Sequence, residues 1–320
     1  MKNIIKFKIK NGIKKGCLFG LFPIYIDIDG HYFFNFLGFR FNVKHSYKTP
    51  LKEIKTSGIS HIQRKIKIVV SLTSFPARIK TLHITISTLL AQTLKPDKII
   101  LWLAEEQFPN KEEDLTKELL AFRNFGLEIK WCKDLKSYKK IVPALKEFPN
   151  DIIVTADDDL YYSETWLESL YNAYLENSEN IYVKRATRLD IEHNKIKPLK
   201  RDKRFNKNFD KKSFYNMILS GSGCLFPPNS LYKDMLDEEL FLRLLPTHDD
   251  VFTWAMLVMN DRKIEVVGGF SEDMLCVEDT QQFGLCKINK KLGAGVSTMR
   301  ALEIIQEQYP QLLNKLIYDF

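Results

Sequence analysis

From Lys65 onward the chain alternates short aliphatic runs with segments of helical periodicity, and this alternation restricts the fold more than any other feature of its 320 residues. Residues 66–72 form a continuous β-branched run, as strands buried on both faces do. Ile79, Leu82, His83, Ile86, Leu89 and Leu90 then recur at the spacing of one helix face, and Pro96-Asp97 ends that helix. Residues 98–103 predict a second strand, 112–125 a helix stopped by Gly126, and 127–131 a third strand. A helix interrupted by Pro143 over 139–147 and a fourth strand over 151–155 follow. Such alternation predicts an α/β fold: a mixed, mostly parallel sheet with helices on both faces. Ligands on such sheets bind at the carboxyl ends of the strands.

The second half is less regular. Leu167, Leu170, Tyr171, Tyr174 and Leu175 line one helix face, with Ser163 the expected N-cap. A strand is predicted over 181–186, a basic loop without periodicity over 193–212, a helix over 252–259 and a strand over 263–267. The last twenty residues read as two short helices split at Pro310.

Residues 1–60 differ in kind. Residues 5–10 alternate apolar and basic side chains, and 32–41 are aromatic and strand-like after a turn at Asp29-Gly30. The expected organisation is therefore a small basic β-rich extension with a polar connector over 1–60, then an α/β domain over 61–320. Charge follows the same division. The chain has 48 Lys and Arg against 40 Asp and Glu, a net +8. Residues 1–70 hold 14 of the bases and 3 of the acids, and 193–212 hold 9 and 2. What remains is acidic, so this is an acidic globule with two basic appendages, not a nucleic-acid binder. The longest apolar stretch, 17–26, contains Pro23 and runs into Asp27 and Asp29, which predicts neither a membrane span nor a cleaved leader. Five cysteines without a C-x-x-C pair predict reduced thiols in a cytosol.

Asp157-Asp158-Asp159 follows the fourth strand at its carboxyl end. Adjacent carboxylates repel unless a cation or donors compensate, and oxygen ligands of this kind suit Mg²⁺ or Mn²⁺ held together with substrate phosphates. Asp249-Asp250 opens the helix near Val251; acids there cap a helix or serve as a general base, and spacing leaves both open. Thr73, Ser74 and Arg78 after the first strand could meet a nucleotide or cap the next helix. Glu105-Glu106 follows the second strand, and Asp134, Lys136, Lys139 and Lys140 follow the third. Gly221 and Gly223 mark a close backbone approach to a ligand or a turn.

Together these stretches resemble the GT-A fold nucleotide-sugar glycosyltransferases, and are similar to bacterial glycosyltransferase family 2. The resemblance covers residues 65–267 and rests on SLTSFPARI, KIILWLAEEQFP, DLKSYKKIVPALKEFPNDIIVTADDDLYY and PTHDDVFTWAMLV. It implies that Asp157 and Asp159 are the outer members of a D-x-D motif, holding Mn²⁺ or Mg²⁺ and the nucleotide, with Asp158 between them. It implies that Thr73, Ser74, Arg78 and Glu105 hold the nucleoside and that Lys139 and Lys140 lie near the diphosphate. Asp250 resembles the general base of inverting members, with Asp249 its rival. The chain departs from many relatives in having Glu105 for Asp and Lys139-Lys140 for Arg. The activity so implied is inverting transfer from a nucleotide diphosphate sugar, a UDP-sugar foremost, to a glycan or lipid-linked glycan of lipopolysaccharide or capsule. The expected location is cytoplasmic, peripheral on the inner face of an anionic membrane. Two other classes compete. A nucleotidyltransferase calls for a Gly-rich loop that SLTSFPAR lacks, and an Asp-nucleophile phosphatase needs its acid after the first strand. A basic binding module gives no role to acids at strand ends.

Overall fold

The first five strands are β1 (Ile5–Lys10), β2 (Ile13–Leu18), β3 (Phe22–Ile26), β4 (Tyr32–Phe36) and β5 (Phe39–Val43). They pair antiparallel in chain order as a meander, the β-rich extension expected from the alternation. The computed structural model describes the backbone of these strands, and residues 54–199, 212–267, 275–283 and 297–318. The expected basic face of the extension, and residues 44–53 of the connector, lie outside the described residues.

The rest is built around an eight-stranded sheet. Its first half comprises β6 (Ile68–Thr73), α1 (Ile79–Leu90), β7 (Lys98–Ala104), α2 (Lys117–Ala121), β8 (Leu127–Cys132), α3 (Val142–Glu147) and β9 (Ile152–Ala156). There follow β10 (Leu160–Tyr161), α4 (Trp166–Glu176), β11 (Ile181–Val183), β12 (Ala186–Glu192), β13 (Lys195–Pro198), β14 (Lys212–Ser213), β15 (Asn216–Ile218) and β16 (Cys224–Phe226). The last described elements are α5 (Glu238–Leu244), α6 (Asp249–Met259), β17 (Ile264–Val266), β18 (Leu275–Cys276), α7 (Thr298–Gln308) and α8 (Gln311–Ile317). The sheet runs β14-β17-β11-β16-β9-β6-β7-β8. Only β14 and β16 run against the others, which gives the mixed, mostly parallel sheet the alternation predicts.

Strand residues divide strictly between the two faces. Ile68, Val70 and Leu72 pack with α1 and α4, while Val69 packs with α6, and the same alternation holds along β7 and β9. Both faces are therefore dry, which is why these strands read as unbroken apolar runs. Helix α6 is buried along nearly its whole length, from Val251 to Val258. Its first turn is thereby fixed against the sheet edge where β6 and β9 end.

Four expected elements take a different form. The helix expected over 112–125 is three pieces: 3₁₀ turns at Lys111–Asp114 and Phe122–Phe125 flank α2. Leu115 is extended, and the Thr116 hydroxyl accepts from Leu119 N at 3.3 Å, so Thr116 starts a new helix. Over 139–147 a 3₁₀ turn (Lys136–Lys140) precedes α3, whose first turn absorbs Pro143 without losing a hydrogen bond. Ser163 does not cap α4. Gln92 does that from a distance, donating to Ser163 O at 2.8 Å and accepting from Leu167 N at 3.0 Å. The strand expected over 181–186 breaks after Val183, and Ala186 begins β12 in a separate three-stranded sheet with β13 and β15. Part of the expected basic loop is thus the β12–β13 hairpin, turned at His193 and Asn194 with φ of 51° and 57°; residues 200–211 lie outside the described residues. The two C-terminal helices split at Pro310 as expected.

Leu82 on α1 is fully buried and Leu175 on α4 is 63% exposed. Leu82→Ala is expected to cost about 2–5 kcal/mol, the range for buried leucines. Leu175→Ala should stay within about 0.5 kcal/mol. Urea unfolding of both variants measures the contrast.

Candidate active site

The turns after β6 and β9, the 3₁₀ turn before α3 and the start of α6 converge on one cleft of about 860 Å³. Its lining includes Thr73, Ser74, Arg78, Lys139, Lys140, Asp157, Asp158, Asp159, Asp249 and Asp250. Ten of the eleven expected site residues therefore share one space. The eleventh, Glu105, is not among them. The chain turns into a 3₁₀ segment at Glu105, whose exposed carboxylate pairs with Lys111 at 3.2 Å.

The three consecutive acids are compensated unequally. Asp158 is buried with both oxygens engaged: Arg78 Nη1 binds Oδ1, and Ser74 Oγ donates to Oδ2 at 2.5 Å. Arg78 also reaches Asp159 Oδ2 at 2.9 Å, where Gln281 Nε2 donates at 2.8 Å. Lys140 Nζ donates to Asp157 Oδ1 at 2.9 Å. Among the described residues, Asp157 Oδ2 and Asp159 Oδ1 receive no hydrogen bond. Burial, then repulsion from Asp157, raises Asp159 to about 6 despite Arg78. That surplus negative charge is what a cation would relieve. Among the described residues no group of three or more His, Cys, Asp or Glu forms a metal cage. The donor set fits a Mg²⁺-like ion held by one or two carboxylates and completed by phosphate oxygens and water.

Two glycines shape the turn opposite. A Cβ on Gly221 would lie 1.6 Å from Asp157 Oδ2, and one on Gly223 would lie 2.3 Å from Trp166 Nε1, at a φ of +113°. The close approach at Gly221 is thus to the Asp157 carboxylate itself. Tyr162 ties the same turn to β9: its hydroxyl accepts from Asp157 N at 2.7 Å and donates to Gly221 O at 2.5 Å.

Across the cleft the acid pair opening α6 is equally asymmetric. Asp249 is buried, with Ser137 Oγ donating to Oδ1 at 2.6 Å, and Ser220 Oγ and Lys140 Nζ both 3.1 Å from Oδ2. Against the cost of burial, Lys140 and these hydroxyls hold Asp249 below the ordinary carboxylate range. Asp250 is half-buried; Oδ1 accepts from Ser220 N at 2.8 Å and from Ser220 Oγ at 2.6 Å, and Oδ2 has no partner among the described residues. Burial and the neighbouring Asp249 charge raise Asp250 to about 7. A carboxyl with one free oxygen and a pKa near neutrality is equipped to take a proton. Asp249 lacks the free oxygen.

The cations are fixed from below. Ser71 Oγ, in the middle of β6, donates to Lys140 O at 2.7 Å and accepts from Trp102 Nε1 at 3.0 Å. Tyr138 stacks on Phe241, with ring centres 4.1 Å apart, and donates to Leu245 O at 2.8 Å. Lys139 is buried between Asp134 and Gln107, 3.1 Å from each. Ser137, Ser220, Tyr162 and Gln281 are site residues that the sequence reading did not single out; the only local signal was the pair of glycines beside Ser220.

The family described as glycosyl transferase family 2 matches residues 74–241, which include the triple acid and the turn facing it. Among solved structures, the chain is 12% identical to the mannosyltransferase PcManGT from Pyrobaculum calidifontis in complex with GDP-Man and Mn²⁺, with a TM-score of 0.45 over 84% of this chain and 77% of that one. It is 11% identical to S. aureus TarS 1–349, with a TM-score of 0.45 over 79% and 71% of the two chains. No curated protein sequence matches the chain.

Proposed function

The chain belongs to glycosyl transferase family 2, and on that premise we propose that it moves a sugar from a nucleotide diphosphate to an acceptor hydroxyl, inverting the anomeric carbon. The observation that carries this reading is one cleft with two carboxylates short of positive charge on one side and a carboxyl poised near neutrality on the other. Thr73, Ser74 and Arg78 form the wall for the nucleoside, and Lys139 and Lys140 flank the diphosphate. Glu105, exposed after β7 and paired with Lys111, completes the nucleoside contacts in this reading. Asp250 is the base. Its Oδ2 takes the acceptor proton while the acceptor oxygen attacks from the face opposite the departing diphosphate, so a single displacement inverts the centre. Asp249, committed to Lys140, Ser137 and Ser220, positions Asp250 and keeps its charge beside it. Mn²⁺ or Mg²⁺, bound through Asp159 and Asp157, would neutralise charge on the leaving diphosphate.

The acceptor we propose is a surface glycan or its lipid-linked precursor, of lipopolysaccharide or capsule type, met at the cytoplasmic face of an anionic membrane, and the donor is a UDP-sugar. Residues 61–320 form the catalytic domain in this reading, and 1–60 an appendage. The charge segregation supports the membrane: 14 Lys and Arg lie within residues 1–70 and 9 within 193–212, and each base near an anionic leaflet contributes about 1 kcal/mol. Among the described residues no helix is long and apolar enough to cross a membrane.

With Asp250 near 7, its base form grows as pH rises, so kcat/KM should climb about tenfold per unit below pH 7 and level off above it. Asp250→Asn should abolish that limb and lower transfer by ~10²-fold or more, with UDP affinity by calorimetry unchanged. A collapse of affinity together with melting temperature would make Asp250 a structural cap instead. For the metal, Asp159→Ala should abolish Mn²⁺-dependent donor binding, whereas full turnover in excess chelator would remove the ion from the mechanism. In flotation, the protein should rise with anionic vesicles at low salt, release at high salt and ignore neutral vesicles. Deletion of residues 1–15 with neutralisation of 193–212 should end that binding, and unchanged flotation would sink the membrane role.

A further inference from the structure

Five Lys and Arg side chains line the cleft. Four are already paired: Arg78 with Asp158 and Asp159, Lys136 and Lys139 with Asp134, and Lys140 with Asp157 and Asp249. The fifth, Arg185, has no hydrogen-bonding or ionic partner for its side chain among the described residues, and it is half-buried. A guanidinium in a cleft without a counterion is a site with one partner missing, because its planar fork is matched by a carboxylate or a phosphate.

The position of Arg185 identifies the side of the cleft it serves. It lies in the two-residue break between β11 and β12, at the same sheet edge as Asp157. Leu219 N donates to Arg185 O at 3.2 Å, and the next residue, Ser220, holds Asp250 through N and Oγ. Arg185 is therefore one hydrogen-bonded step from the clamp on the base. Its neighbours in the cleft lining are Thr187, Pro198, Met217 and Leu219, from β12, β13 and β15 and the turn that follows β15. None of these four described residues is an acid, and a partly apolar wall strengthens any ion pair formed on it. The donor-side cations sit on other elements. The charges that chiefly bias Asp250 are Asp249 and Lys140, so Arg185 is not spent on the base.

We propose that Arg185 is the acceptor-specificity residue: it receives an anionic group, phosphate or carboxylate, carried by the acceptor beside the hydroxyl that reacts. The assignment rests on the transferase reading, since it takes Asp250 as the point to which the acceptor hydroxyl is delivered. The transferred sugar itself needs no charge under this scheme; the selection falls on the acceptor.

The test uses the full chain with its donor side filled by UDP and Mn²⁺, and compares glucose, glucose 6-phosphate and glucuronate as probes by ligand-observed NMR titration. The three share one ring and differ at one carbon, so they separate a need for charge from a need for phosphate. At least one anionic probe is expected to bind about tenfold or more tighter than glucose, the scale of one charge-assisted hydrogen bond. Arg185→Gln should erase that preference with UDP affinity within about twofold of the parent, and Arg185→Lys should keep part of it. Equal binding of all three probes, binding of none, or a preference that survives Arg185→Gln overturns the assignment. A loss of UDP affinity in Arg185→Gln also overturns it, by moving the residue to the donor side. If UDP does not bind the parent protein at all, the transferase reading itself fails, and that result is distinct from each of the others.

Discussion

Lys140 joins the two halves of the site. Its ammonium is buried and lies 2.9 Å from Asp157 and 3.1 Å from Asp249. Leaving an ammonium alone in such a place costs several kcal/mol, and breaking a buried pair by removing one partner costs about 3–5 kcal/mol. Here the figure falls toward the lower end, because the Asp157 side chain is 38% exposed and water can solvate it. Although burial works against it, the two carboxylates raise Lys140 well above the ordinary lysine value, so it stays charged. One cation thereby fixes the distance between the turn after β9 and the first turn of α6. The acids that follow β9 and the acid pair that opens α6 cannot drift apart without exposing an unpaired charge.

That joint depends on packing far from it. The 3₁₀ turn carrying Lys140 is pinned to β6 by Ser71 and to the segment before α6 by Tyr138. Both anchors lie in the core face shared with α6, where Trp254 also donates to Phe214 O at 2.8 Å. Stability and site geometry are one problem in this protein: the same layer of aromatic and aliphatic side chains that buries α6 aims its first turn.

The sheet was legible because its signal is local. Strands β6, β7 and β9 are dry on both faces, and a dry strand must be an apolar run, so their limits fall within two residues of the sequence reading. Where the sequence misled, a single side chain or a distant partner overrode the pattern. Thr116 caps α2 and cuts a periodic segment in three. Gln92, 71 residues away from Ser163 in the chain, does the work expected of a local cap. The break at Lys184 and Arg185 falls where the chain changes partner, from the β16 side (Lys184 N to Gly223 O) to the β15 side (Leu219 N to Arg185 O), and no window of sequence contains those partners. The site followed the same rule. Acids at strand ends announce themselves, whereas Ser137 and Ser220 are ordinary hydroxyls until folding sets them against Asp249, 112 and 29 residues away. Glu105 follows β7 as its place in the sequence implies, and its exposed carboxylate pairs with Lys111.

The acids of the cleft differ in the count of oxygens left without a hydrogen bond among the described residues. Asp158 and Asp249 have both oxygens bonded, and each sits beside an acid that does not. Their fixed negative charges act on the neighbours through a cleft that water only partly screens. Asp159 rises to about 6, chiefly through burial and Asp157, with Asp158 adding to it, and Asp250 rises to about 7 under burial and Asp249. The two elevated groups ask for different remedies. Asp159 sits beside Asp157, which keeps an unbonded oxygen of its own, so a divalent cation can serve both. Asp250 has Ser220 donors on one oxygen and nothing on the other, so a proton is the natural partner. Neighbouring acids at each end of the cleft therefore install a fixed field: Asp157, with Asp158 adding, raises Asp159, Asp249 raises Asp250, and Lys140 joins the two groups.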